Sequence, residues 1–485
     1  MEPNLIFKTA HVVDVLGNVV GRDQQIMTME KARDLVSLLD KNDFLDERVV
    51  FFDPFCKAGE ILLACAFSSC WRKSSLAGKP LALESVKEEL YESNRYFGLS
   101  PDERHHKLSL RTFLGNTNSH SNKYNQIIRN GNYLSEIDGR LDHNKLKEEF
   151  HNMLDYINSC SKPRKIIAVG NPPYQESDGG FGKSAKSIYN YFVESLIDSK
   201  MIHELVLVIP ARWFNGGKGL DQFRSEMMNS GKIKNLKYFK NSNDVFPTVD
   251  INGGICFLHY VKNYSGLTSF SDDDYQIELN LNEFDIITDD PLAYSIVRKI
   301  KKNWKNQYIS SLAWARNPFG LATNYFIRNI DSDLKNGQLI PCLSRGRVIR
   351  HVGLDLIEKN SDKIHLWKVA VPKAAGGSKG NRRSTVPVNQ IFLIDKGVIT
   401  TETYNIIGAF SKADKAHNLI KYLQTDFARY LVGLRKITQD VTKDRWNWVP
   451  YVDISKKWTD AELFELFQLT PEEQLHIKKK VAEWS

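Results

Sequence analysis

Nowhere does the sequence hold an apolar run near the roughly 18 residues that a bilayer-crossing helix needs, so no membrane association is expected. Nor does it begin like an exported chain. Met-Glu-Pro-Asn carries no basic segment followed by an apolar core, which points to a cytoplasmic protein. Cysteine is scarce, and Cys56, Cys65, Cys70, Cys160, Cys256 and Cys342 are scattered without CxxC spacing. That pattern predicts free thiols rather than a disulfide framework or a zinc site. Internal repeats and low-complexity tracts are missing too. The Glu-x-Lys triplet that often closes a nuclease metal site does not occur, and no metal is expected. Its Asp-x-Lys variants, Asp198-Ser199-Lys200 and Asp333-Leu334-Lys335, lie in stretches that read as helix end and turn.

What is present reads as a globular chain of two or three domains: 485 residues, 42% hydrophobic and 26% charged. The net charge of +8 says little by itself, but its placement says more. Between Gln338 and Leu354 stand Arg345, Arg347, Arg350 and His351 with no acid. Between Lys363 and Ile394 stand Lys363, Lys368, Lys373, Lys379, Arg382 and Arg383, again with no acid and with Gly-rich sequence among them. A charge run is by default a solvated face. Two such runs side by side, interleaved with Trp314, Phe319, Tyr325, Trp367 and Phe392, favour a phosphate-facing surface.

Two constellations carry chemistry. The apolar run Val49-Val50-Phe51-Phe52 leads into Asp53-Pro54-Phe55-Cys56-Lys57-Ala58-Gly59-Glu60 and then an apolar helix from Ile61. Strand, small-residue loop and helix in that order form a cradle for a nucleotide or an anion. Lys57 stands where a first glycine is usual. Farther on, Ile166-Ile167-Ala168-Val169-Gly170 reads as a buried strand and ends in Asn171-Pro172-Pro173-Tyr174. Two prolines stiffen that bend, which presents a side-chain amide, backbone carbonyls and an aromatic ring. Acceptors beside a ring suit a flat heterocycle with an exocyclic amine. An ordinary turn is the plain alternative.

Alternating strands and helices continue to residue 262, with strands expected at 96–99, 205–209, 236–239 and 253–261. The expected fold class is therefore α/β, a doubly wound Rossmann-like domain over 1–262. In such domains an acid after the second strand usually binds ribose; here Ser100 holds that place, with Asp102 two residues on. Residues 263–275 read as a linker, 276–450 as an α+β domain carrying the basic runs, and 451–485 as a helical tail. One amphipathic helix is expected over 413–434, and Thr470-Pro471-Glu472-Glu473 spells a capping box.

A cradle followed about a hundred residues later by Asn-Pro-Pro-Tyr resembles the gamma-class adenine-N6 DNA methyltransferases of restriction–modification systems. The likeness extends through Asn171 to Lys183, Ile209 to Phe214, Gly216 to Leu220, Val245-Phe246-Pro247 with Gly253-Gly254, and the tail segments Thr401 to Tyr404, Tyr422 to Thr425 and Trp458-Thr459-Asp460. The resemblance implies a methyltransferase domain followed by a target-recognition domain. It places S-adenosylmethionine against Thr28, Asp53, Pro54, Cys56 and Gly59, and catalysis at Asn171, Pro172, Pro173 and Tyr174. Duplex DNA would meet Arg345, Arg347, Arg350, Lys373, Lys379, Arg382 and Arg383. A separate restriction endonuclease is expected as partner, since the methylase region begins almost at residue 1. RNA-adenine and protein-glutamine methyltransferases share the bend and remain alternatives, as does a bifunctional restriction–methylation enzyme.

Overall fold

The computed structural model describes residues 26–114, 122–134, 140–175, 187–216, 219–246, 251, 253–328, 338–375, 384–436 and 439–484. Two compact units divide the chain, Met1–Ile287 and Thr288–Ser485.

In the first unit the chain runs α1 (Met29–Val36), α2 (Lys41–Leu45), β1 (Val49–Asp53), α3 (Glu60–Leu76), α4 (Leu83–Glu92) and β2 (Tyr96–Ser100). It continues through α5 (Glu103–Leu114), α6 (Asn122–Ile127), β3 (Ile128–Asn130), α7 (His143–Ser161), β4 (Lys165–Gly170) and α8 (Tyr189–Asp198). Then come β5 (Glu204–Pro210), α9 (Asp221–Asn229), β6 (Ile233–Phe239), β7 (Ile255–Val261), β8 (Thr268–Ser271) and β9 (Gln276–Leu279). The strands form one sheet in the order β3-β2-β1-β4-β5-β7-β6-β8-β9. β1 to β5 pair in parallel, whereas β7 runs antiparallel to both β5 and β6.

The continuous apolar runs have a plain cause in this sheet. Every residue of β1 is buried because both faces are covered. Phe51 stacks between Phe44 of α2 and Tyr96 of β2, while Phe52, one residue on and therefore on the opposite face, meets Phe150 of α7. Full burial of each ring contributes roughly 1.5–3 kcal/mol. The doubly wound α/β expectation is met. Strand order also turns round between β1 and β4: the chain first builds outward to β2 and β3, then returns to the other side of β1. At such a reversal the loops leaving neighbouring strands part and open a crevice beyond their carboxyl ends.

Three expectations need correction in this unit and the next. Residues 263–275 are not a linker, since they contain β8, which pairs with β6 in parallel and carries β9 beyond it. Thr-Ser-Phe-Ser buries only alternate residues, so a search for continuous apolar runs passes over it. The helix expected over 413–434 is two, α12 (Ala413–Leu423) and α13 (Asp426–Arg435) in the second unit. Thr425 starts α13 afresh by accepting the Ala428 N–H on its hydroxyl at 3.2 Å.

The rest of the second unit comprises α10 (Pro291–Asn303), α11 (Tyr325–Arg328), β10 (Leu339–Leu343), β11 (Ile349–Gly353), β12 (Trp367–Pro372), β13 (Phe392–Ile394), β14 (Ile399–Thr400) and β15 (Tyr404–Phe410). Its strands make two three-stranded sheets, β11-β10-β14 and β13-β12-β15. α14 (Asp460–Leu466) and α15 (Pro471–Trp484) are no separate tail. Phe427 of α13 stacks on Phe467 at 5.1 Å, and Tyr430 meets His476 of α15 edge-on. The expected capping box is there: Glu473 accepts the Thr470 N–H at 2.8 Å, and the Thr470 hydroxyl accepts that of Glu473.

Candidate active site

Asp53 closes β1 and Asn171 follows β4, so both stand at the reversal of strand order. A carbon added at Gly170 would lie 2.8 Å from the Asp53 carboxylate and 2.9 Å from the Phe55 ring. The first motif is thus packed directly against the residue that introduces the second. Asp53 accepts the Phe55 N–H at 2.9 Å, which folds the chain back into the loop. Tyr133 donates its hydroxyl to the Pro54 carbonyl at 2.7 Å, and Phe192 of α8 supports Phe55 edge-on at 4.9 Å. Gly59 is left-handed, φ 76°, and opens α3. Only glycine fits there at no cost, because a Cβ would also stand 2.9 Å from the Phe113 ring.

Lys57 is the departure that the structure explains most fully. Its side chain is buried, and its ammonium lies 6.0 Å from the centre of the Tyr174 ring, which ties the cradle to the Asn-Pro-Pro-Tyr bend. Burial lowers its pKa to about 8, against the pull of Glu60, Asp53 and Asp102 upward. Burial raises the Asp53 carboxyl well above the usual range and raises Glu60 as well, and Glu60 accepts the Met27 N–H at 3.4 Å. The same cause pushes up the Cys56 thiol and the Tyr174 hydroxyl, so neither ionises near neutrality. Neither Lys57 nor Glu60 belongs to the set that the motifs single out.

The burial of Lys57 sets a pH dependence. Its ammonium is charged in the unfolded chain up to about pH 10.5 but is disfavoured in the fold, at a cost of about 3 kcal/mol for a shift from 10.5 to about 8. The full cost applies below pH 8 and is relieved as pH rises toward 10.5, since the unfolded state then binds the extra proton. Urea unfolding should therefore show the stability of the wild type gaining on that of Lys57→Met by about 2–3 kcal/mol between pH 7 and 10. Parallel curves would mean that Lys57 is not held as a buried ammonium.

The remaining candidates take varied roles. Thr28 caps α1 by accepting the Lys31 N–H at 3.3 Å. The Cys56 side chain is buried, its Sγ 3.0 Å from where a Gly98 side chain would begin, so it packs the loop onto β2. Asp102 is committed to α5, accepting the His105 N–H at 2.8 Å and pairing with the His105 ring at 2.6 Å. Ser100 is different: its hydroxyl is fully buried at the end of β2 and has no hydrogen-bond partner among the described residues. Asn171 is 2% exposed, Pro172 buried and Tyr174 8% exposed. The Tyr174 carbonyl accepts the Ile188 N–H, and Gln175 bridges to Ser187, while 176–186 lie outside the described residues. Phe246, in a segment already noted for its resemblance, stands 6.3 Å from Tyr174.

S-adenosylmethionine fits this donor set. Two buried carboxyl groups, Asp53 and Glu60, can accept hydrogen bonds from an amine-bearing ligand, and Lys57 suits its carboxylate. The glycine at 59 keeps the loop clear, and the buried Ser100 hydroxyl can meet a ribose hydroxyl.

In the second unit the seven residues Arg345–His351 are all exposed. Arg347, however, donates to the Asn389 carbonyl at 2.9 Å and lies 4.5 Å over Phe392. Lys373 bonds the Glu402 carboxylate at 3.0 Å, which Arg316 also holds. Lys368 is buried under three backbone carbonyls. The acid-free stretch from 363 onward is thus partly internal scaffolding. Lys379, Arg382 and Arg383 lie outside the described residues.

A protein of Mycoplasma pneumoniae described as an uncharacterized adenine-specific methylase is 36% identical over 105 residues, 21% of this chain and 25% of that protein. The chain therefore spans about a quarter of the length of that curated relative. Among solved structures, the type IIL restriction-modification enzyme MmeI in complex with DNA is 12% identical, covering 97% of this chain and 76% of its own at a TM-score of 0.46. The M protein of the type I restriction enzyme EcoKI is 14% identical, covering 50% and 47% at 0.32. Residues 84–246, which contain β4 and the Asn-Pro-Pro-Tyr bend, match the Eco57I restriction-modification methylase family.

Proposed function

We propose that the protein is a site-specific DNA methyltransferase that transfers a methyl group from S-adenosylmethionine to the N6 amine of an adenine turned out of duplex DNA. One observation carries the reading: the Asp53–Glu60 cradle and the Asn171–Tyr174 bend, about a hundred residues apart in sequence, adjoin at the reversal of strand order. Restriction–modification is the setting, with a separate endonuclease as partner and the cytoplasm as location.

S-adenosylmethionine, when bound, supplies an electrophilic methyl group. The chain must supply a nucleophile from a poor one, since the lone pair of an aromatic amine is delocalised into its ring. The Asn171 side-chain carbonyl and the Pro172 backbone carbonyl accept the two amine hydrogens and favour a pyramidal nitrogen. Pro172 and Pro173 fix those acceptors before the substrate arrives. Tyr174, its hydroxyl un-ionised, offers a ring face worth roughly 1–3 kcal/mol in stacking, against the few kcal/mol that leaving the duplex costs. Phe246 packs edge-on against the same ring.

Transfer of labelled methyl groups to duplex DNA, RNA and protein tests the reading, and long-read sequencing of DNA from expressing cells reports base and motif together. Labelling of RNA or protein alone would overturn it. Tyr174→Phe should keep most of the activity, while Tyr174→Ala should lose about 10- to 100-fold, the equivalent of its stacking. Equal rates for the two variants would show that the ring does not stack.

A further inference from the structure

The tip of the β10–β11 hairpin combines features that a merely solvated turn does not need. Val348 is 49% exposed and Ile349 50%, adjacent where the turn enters β11, the strand that forms the edge of its sheet. Large apolar side chains on an open edge invite unwanted pairing unless something covers them. Around them stand Arg345, Arg350 and His351, exposed, and none of these three has an acidic partner among the described residues. No acid occurs from Gln338 to Leu354.

The tip is also held from behind. Ser344 donates both its N–H and its hydroxyl to the Val348 carbonyl at 2.8 Å. Gly346 and Arg347 are left-handed, φ 77° and 63°. Arg347 spends itself on this support: its N–H meets the Tyr404 hydroxyl at 3.1 Å and its guanidinium the Asn389 carbonyl. With Arg347 turned inward, the exposed set is Arg345, Val348, Ile349 and Arg350, the last with its guanidinium 5.9 Å from the Phe326 ring. Little ordering remains to be done on binding.

We propose that this tip enters a groove of duplex DNA, where Val348 and Ile349 wedge between base steps and Arg345 and Arg350 rest on the flanking phosphates. Apolar wedges beside arginines are how proteins unstack and kink a duplex. A second copy of the chain is a poorer occupant, because antiparallel pairing along β11 would bring clusters of arginines together. The inference rests on the duplex-DNA reading given above and adds the residues that deform the duplex.

The test uses the full chain and a duplex bearing the motif methylated in expressing cells, with dyes at its two ends. Anisotropy across about 50–200 mM KCl gives affinity and its salt dependence, and energy transfer gives the bend. Val348→Ser/Ile349→Ser should bind about tenfold more weakly, keep the wild-type salt slope and leave the duplex straighter. Arg345→Ala/Arg350→Ala should lower the slope by about 2. Val348→Leu/Ile349→Val should behave like wild type, which separates a wedge from a folding defect. If the serine pair binds and bends the duplex like wild type, or if wild type itself leaves it straight, the wedge is wrong while the methyltransferase reading stands. If wild type binds no duplex at all, both fall. A wild-type dimer broken by the serine pair without change in DNA binding would make the hairpin a subunit contact and overturn the proposal.

Discussion

Replacing Asn171 by alanine should lower the rate of methyl transfer by a factor of about 10²–10³ or more, as loss of a preorganised hydrogen-bonding group at a reacting centre does. Donor and duplex binding should hold within about threefold, because the lost bond strengthens only as the nitrogen becomes pyramidal. The expectation is strong because the side chain is nearly buried and placed by both neighbours: Gly170 abuts Asp53, and Pro172 admits few backbone conformations. Asn171→Asp keeps an acceptor in place and should fall between alanine and wild type. Single-turnover kinetics with isothermal titration of the donor separates the two effects. A variant that transfers methyl groups at the wild-type rate would end the mechanism; one that merely unfolds would show in its melting curve.

Gly59→Ala should be the most damaging small substitution in the cradle. Two costs combine, a left-handed backbone at φ 76° and a methyl group 2.9 Å from the Phe113 ring. The backbone alone costs about 1 kcal/mol and crowding a packed ring about 1–3 kcal/mol. Phe113 is itself buried and packs edge-on to Tyr124, so it has little room to yield. A loss of about 2–4 kcal/mol in urea unfolding is expected, together with donor affinity lowered at least about tenfold as the loop shifts. Wild-type stability in this variant would show that the loop is looser than its geometry implies.

Much of the first unit was legible because burial on both sheet faces writes itself into sequence. β1, β4 and β5 each hold an unbroken apolar run. The site was legible for a related reason: proline and glycine restrict the backbone locally, so Asn171-Pro172-Pro173 and Gly59 announce themselves. Partnerships across long stretches of chain leave no such mark. Nothing in the sequence joins Lys373 to Glu402, Tyr133 to Pro54 or Lys57 to Tyr174, since each meeting depends on how strands are ordered. The strand β8 was missed because its alternation of buried and half-buried residues runs for only four positions, too short to stand out from a turn.

The place of β7 between β5 and β6 also governs the order in which the sheet can be finished. Both of its neighbours precede it in the chain, and neither can bond to the other across the gap it fills. Until the ribosome has released Ile255–Val261, a nascent chain therefore carries two open strand edges, one on Glu204–Pro210 and one on Ile233–Phe239. A single late segment seals both.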